Sequence, residues 1–178
     1  RVLFRSIGWS AFENCSGLKS ITIPDSVTSI DGCAFENCSG LTSVTIPNSV
    51  TTIGESAFYN CSGLMSVTIP DSINFIDNNA FNFCRKLTNI YINDICAWCN
   101  ISGLGSLMQC DSDYINLYLK GELIKDLVIP DSVTAISYSA FYNCRGLTSV
   151  TIGNNVATIG GCAFENCSGI TNVIIPDS

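Results

Sequence analysis

Histidine is missing from all 178 residues, and with it the side chain that most often serves as a general base or neutral metal ligand near neutral pH. No G-x-S-x-G elbow and no phosphate-cradling glycine loop is present either. The chain is therefore expected to be no enzyme and to need no cofactor and no metal. Charge is sparse: 13% of residues are Asp, Glu, Lys or Arg, low for a soluble surface, so the hydroxyls and amides of Ser, Thr and Asn must keep it wet. Eight scattered Lys and Arg stand against fifteen Asp and Glu, for a formal net charge of -7. Without a basic stripe to release counterions, nucleic acid is excluded as a partner. No run of 18 apolar residues occurs, so this segment does not insert directly into a membrane, and nothing at Arg1 reads as a signal peptide.

What the chain has is a repeat. Leu18 to Gly40 reads LKSITIPDSVTSIDGCAFENCSG, and the same 23-residue sentence returns at Leu41, at Leu64 and in altered form to the end. A period in the twenties marks a solenoid, whose units cannot bury their own apolar faces and must stack on one another. Arg1 and Ser178 both fall inside a repeat, which predicts an excerpt of a longer array with its caps and targeting signals elsewhere. Residues 1–178 form one solenoid domain in this reading. Its uncapped apolar edges make end-to-end self-association at high concentration an expectation.

Within a unit, Ile21 and Ile23 alternate with Ser20 and Thr22, the period of a strand with one buried face. Pro24 ends the strand, and Asp25-Ser26 supplies turn acceptors. Val27 and Ile30 re-enter the core, and Ser56-Ala57-Phe58 and its equivalents are expected to start one helical turn with Ser56 as N-cap. The expected core is Leu18, Ile21, Ile23, Val27, Ile30, Phe35, Cys38 and their equivalents, behind a main sheet of about seven short strands. The unit at Leu87 runs 37 residues before Ile124 restores the phase, a 14-residue insertion in an irregular unit spanning 87–123. Ile115 to Leu119, Lys120-Gly121 and Glu122 to Ile129 read as a hairpin whose second arm becomes the next ladder strand.

Eleven cysteines include Cys96-Ala97-Trp98-Cys99, a C-x-x-C. Three repeats earlier these thiols fall on Val27 and Ile30, so core packing is the first reading, with a disulfide or metal site as the alternative. Cys15, Cys38, Cys61, Cys84, Cys144 and Cys167 form a column whose side chains point in parallel. That is poor disulfide geometry, so free buried thiols are expected. Asn14, Asn37, Asn60 and Asn166 head N-C-S sequons, as Asn100 heads N-I-S, yet asparagine bonding to backbone at each turn is the simpler reading. Single aspartates at Asp25, Asp71 and Asp131 are read as turn residues and not as calcium ligands.

LTSVTIPNSVTTIGESAFYNC, Leu41 to Cys61, combines L-x-x-V-x-I-P, D/N-S-V-T-x-I and A-F-x-N-C at fixed spacing and resembles the BspA-like leucine-rich repeat family over essentially the whole chain. Phe83 in place of asparagine, Gly153 in place of proline and the Leu87 unit depart from the pattern. The resemblance implies a leucine-rich repeat β solenoid, a curved right-handed stack with a parallel sheet, short helical turns and one inserted hairpin. It also implies a cell-surface or extracellular protein of host-associated microbes, and a protein ligand, such as a host or cell-surface protein, bound in adhesion. The concave strand face would present Ser43, Thr45, Ser66, Thr68, Asn89, Tyr91, Asp126 and Val128. The irregular unit would add Trp98, Tyr118, Lys120 and Glu122, with contact centred where the repeat is broken. Two alternatives stand beside this: a structural spacer, and Trp98 and Tyr118 as mere packing of the enlarged coil.

Overall fold

A computed structural model describes residues 4–177. The strands run β1 (Ser6–Ile7), β2 (Ser29–Ile30), β3 (Ser43–Thr45), β4 (Thr52–Ile53), β5 (Ser66–Thr68), β6 (Phe75–Ile76) and β7 (Asn89–Ile92). Helices α1 (Ile95–Cys99) and α2 (Gly105–Met108) follow. Then come β8 (Asn116–Leu119), β9 (Glu122–Leu123), β10 (Asp126–Val128), β11 (Ala135–Ile136), β12 (Ser149–Thr151), β13 (Thr158–Ile159) and β14 (Asn172–Ile174). The molecule is a parallel β solenoid. Each regular coil contributes a three-residue strand to a main face and a two-residue strand to a side face, with partners one repeat apart, as in Val44↔Val67 and Ile30↔Ile53. Val44, Val67, Ile53 and Leu64 are buried while Ser43 and Thr45 point to solvent, so the period-two pattern places the core as expected.

Phe35, Phe58 and Phe141 are fully buried, which fixes the register. Phe12, Phe35, Phe58 and Phe81 stack with centroids 5.4, 5.2 and 5.0 Å apart, and Phe141 stacks on Phe164 at 5.2 Å. Each buried ring contributes about 1.5 to 3 kcal/mol by leaving water, and near-parallel stacking adds about 0.5 to 1.5 kcal/mol. Beside the rings, Cys38, Cys61, Cys84 and Cys167 are buried and free. Their thiols donate to the carbonyls of Phe12, Phe35, Phe58 and Phe141 in the preceding coil. Gly63 follows because a Cβ there would stand 2.3 Å from the Ser39 carbonyl oxygen of the coil below.

The expected helical turn after each side strand is instead a left-handed corner. Ser56 and Asn60 have φ of 55° and 52°, and Ser10, Cys33, Asn37, Ser139, Cys162 and Asn166 match them. Asparagine tolerates this region because its short polar side chain bonds locally. In the first coils it bonds along the stack, Asn60 Nδ2 donating to Asn37 Oδ1 at 2.8 Å and Asn37 Nδ2 to Asn14 Oδ1 at 3.0 Å, whereas Asn143 Nδ2 donates to the Ser112 carbonyl as expected. The column stops at Phe83, which holds φ of 61° while its ring meets Tyr59 edge-on at 5.2 Å.

Three further expectations are corrected. Ser20–Ile23 forms no strand, and Leu18 and Ile21 are only half-buried, because that coil has little apolar surface stacked on its outer side. Cys96, Trp98 and Cys99 lie on α1, capped by Asp94 Oδ1 accepting from Ala97 N. The side-ladder position falls to Ser102, which bridges Phe75. Lastly, the first arm of the hairpin, β8, takes the next place in the main ladder, pairing parallel with β7 as Asn89↔Asn116 and Tyr91↔Tyr118. Asn116 stands 27 positions after Asn89, and Asp126 ten after Asn116, so four of the 14 extra residues enlarge the coil and ten make the hairpin. The seven parallel main-face strands thus fall into two sheets, β3-β5-β7-β8-β9 and β10-β12-β14.

Phe58→Ala is expected to lower unfolding free energy by about 3 to 5 kcal/mol in urea titration; a loss below about 1 kcal/mol would contradict the stacked core. Burial pushes the Cys38 and Cys167 thiols up to about 11 and Cys99 to about 12 from an ordinary 9.0. Between these values the unfolded chain binds fewer protons than the folded one. Stability present in full below pH 9.0 is therefore lost as pH rises toward 11. Urea midpoints should fall from pH 8 to pH 10.5, and equal midpoints would refute the assignment.

Candidate functional site

The main face is two columns of side chains, set by which residue of each strand points outward. The first column runs Ser43, Ser66, Asn89 and Asn116, and the second Thr45, Thr68, Tyr91 and Tyr118. Across the break they resume as Asp126, Ser149, Asn172 and as Val128, Thr151, Ile174. Up to β5 the columns carry hydroxyls alone. At β7 and β8 they change chemistry: the Tyr91 and Tyr118 rings stack at 4.7 Å, with 21° between their planes, and Asn116 Nδ2 donates to Asn89 Oδ1 at 3.1 Å. Both rings are half-buried.

Next to this pair the chain reverses. Lys120 and Gly121 have φ of 52° and 89°, the two positive values a type I′ hairpin turn requires, and glycine meets the second without a Cβ penalty. Leu119↔Glu122 and Tyr118↔Leu123 then pair antiparallel, leaving Lys120 and Glu122 exposed at the tip. Beyond the hairpin, Asp126 Oδ1 accepts from Thr148 Oγ1 at 3.0 Å and from Ser149 Oγ. The Ser149 and Thr148 hydrogen bonds hold its carboxyl below the usual carboxylate range. Val128 is 62% exposed where the next coil places Thr151.

Of the residues singled out in the sequence, the structure brings Asn89, Tyr91, Tyr118, Lys120 and Glu122 together on one patch. Asp126 and Val128 lie across the gap, and Ser43, Thr45, Ser66 and Thr68 on the regular coils to the other side. Trp98 is corrected. It is 1% exposed, and its indole Nε1 donates to the Ala140 carbonyl at 2.8 Å, so it joins the irregular coil to the next and presents no surface. The two thiols of the C-x-x-C differ: Cys99 packs in the core as expected, while Cys96 is only half-buried. Cys99 is buried, and its high pKa is the reverse of what a reactive thiol needs, while Cys96 Sγ lies 2.9 Å from the Ser132 hydroxyl.

Sequence reasoning missed Asn116, Leu119 and Leu123. A signal for them existed: Asn89-Ile90-Tyr91-Ile92 and Asn116-Leu117-Tyr118-Leu119 share one pattern, hidden because they stand 27 and not 23 residues apart.

Six copies of the BspA type leucine rich repeat region match the chain over residues 4–118 and 115–178. A leucine-rich repeat protein from Bacteroides ovatus is 35% identical over 95% of this chain and 46% of its own, with a TM-score of 0.57. The T. pallidum leucine rich repeat protein is 24% identical over 93% and 60% of the two chains, with a TM-score of 0.50. A leucine rich cell surface protein from Faecalibacterium prausnitzii is 24% identical over 98% and 58%, with a TM-score of 0.49. The chain therefore spans about half of the B. ovatus protein and three-fifths of the T. pallidum protein. No curated protein matches the sequence. The repeat motif, the stacked parallel coils and the match along nearly the whole length agree: the chain belongs to the BspA-type leucine-rich repeat family.

Proposed function

We propose that this solenoid is a non-catalytic protein-binding module, adhesive in its biological role, of a cell-surface or secreted protein, and that its partner is a protein, such as one on a host cell. The observation that carries this reading is the Tyr91–Tyr118 stack on the main face. Identical Ser and Thr columns offer a partner nothing to tell one coil from the next. The stacked tyrosines mark one place with large, rigid, amphipathic surface, the kind of side chain that supplies most interface energy. The hairpin tip at Lys120 and Glu122 adds polar groups at the rim of the same patch. Family membership supports a surface protein, and the lack of histidine and of a nucleophile elbow supports the absence of catalysis.

The spacer reading draws on a different observation, the uniform hydroxyl columns from β3 to β5, which solubilise a face without specifying anything. One experiment separates the two. Binding of the purified chain to cultured host cells and to a panel of purified extracellular-matrix proteins is measured for the wild type and for a Tyr91→Ala, Tyr118→Ala double variant of matched melting temperature. The double variant should bind about tenfold or more weakly, since each anchor contributes on the order of 1 kcal/mol or more. Unchanged binding, with deletion of Tyr118 to Glu122 equally silent, would replace the site with a spacer or a distributed face.

A further inference from the structure

Strand pairing on the main face stops once in the interior of the stack. β5, β7, β8 and β12 each have a strand on both sides, whereas β9 pairs with β8 alone and β10 with β12 alone. The surrounding bonds show which backbone groups this leaves over. Lys125 O accepts from Ser149 N, and Ile129 N donates to Thr151 O at 2.8 Å, so the odd residues here address β12. By the alternation of a parallel ladder, the N–H and C=O of Asp126 and Val128 point the other way, into the gap facing β9. Among the described residues none of these four groups has a backbone partner.

Two open depressions lie along the gap. A depression of about 320 Å³ lies between Leu119, Leu123, Lys125 and Asp126 at one end. Another of about 240 Å³ lies between Leu119, Lys120, Val128 and Pro130 at the other. Leu119 lines both. Val128 and Leu123, 62% and 36% exposed, stand on opposite sides, so apolar side chains flank a row of free donors and acceptors. The charges around it, Lys120 and Lys125 against Asp94, Glu122 and Asp126, leave one net negative charge, which suits an occupant without acidic residues.

We propose that the free edge of β10 receives an extended segment of a partner protein, free of acidic residues, added as a strand in the gap between β9 and β10. Main-chain bonds to Asp126 and Val128 would hold it, and the alternate apolar side chains on its outward face would rest against Leu123 and Val128. A folded second copy fits poorly, because its strands are held in their own coils and cannot enter a gap between two strands of one chain. The proposal rests on the protein-binding reading and names the form of the partner.

The probe is a phage-displayed library of random heptapeptides selected against the whole chain, with enriched peptides synthesised for titration. Selected peptides should alternate apolar residues and should slow amide exchange of Asp126 and Val128 at least tenfold. They should bind Val128→Pro at least tenfold more weakly, because proline removes a gap-facing N–H and no ladder bond. Exchange in the wild type decides the matter if that variant does not fold. Failure of any peptide to enrich, or enriched peptides that leave both amides unprotected, would overturn the proposal. So would a dimer whose β10 amides are already protected without peptide, since the edge would then belong to a second copy. These failures with the Tyr91 and Tyr118 dependence of host-protein binding intact would leave the protein-binding reading standing, whereas loss of that dependence alone would not touch strand addition.

Discussion

Everything in this structure depends on equivalent residues meeting one coil apart. Backbone bonds such as Phe58 N to Ala80 O and Phe35 N to Ala57 O, each 2.8 Å, bring like against like, so one successful choice at a position is repeated by every neighbour. A buried phenylalanine becomes a stack, a left-handed asparagine a chain of amides, and a cysteine a column of thiols donating to carbonyls. Stability in such an array is a sum of coil and nearest-neighbour terms. The low charge content follows from the same constraint, because a charge repeated in register would face its own copy about 4.8 Å away.

How far the sequence could be read follows from that rule. Where the period held, the inward positions, the buried phenylalanines and the outward hydroxyls were all legible. The corners were less so: Ser56 and Asn60 are ordinary capping residues, and nothing in one copy distinguishes a cap from a left-handed φ. Their spacing of four with Phe58 between them serves equally for a helical turn. In the irregular unit, the hairpin turn was visible in Lys120-Gly121, but counting from Leu87 to Ile124 assigned the ladder place to the wrong arm. Trp98 was misplaced for the same reason. Four extra residues upstream of β8 shift the register, and α1 uses them to turn the indole inward.

The irregular coil is where the molecule departs from its own rule, and the proposed site lies there. Its tyrosines sit in the column that elsewhere carries threonine, so they inherit a rigid strand scaffold while changing the surface it presents. A regular coil offers the opposite balance, a well-supported position with chemistry shared by its neighbours. Recognition gains more from the one coil that differs than from the several that agree.

The link between Trp98 and Ala140 bears on how the array carries load. Among the described residues no strand ladder joins the two sheets of the main face across the break. On the opposite flank they are tied by the buried indole bond, by Ser137 bonding the Cys99 carbonyl through both its N–H and its hydroxyl, and by Gln109 reaching the Ser139 hydroxyl at 3.0 Å. Such a body is stiff along one side and compliant along the other. Tension or shear applied along the stack would bend it at this coil like a book about its spine, opening the strand face while α1 and its contacts hold.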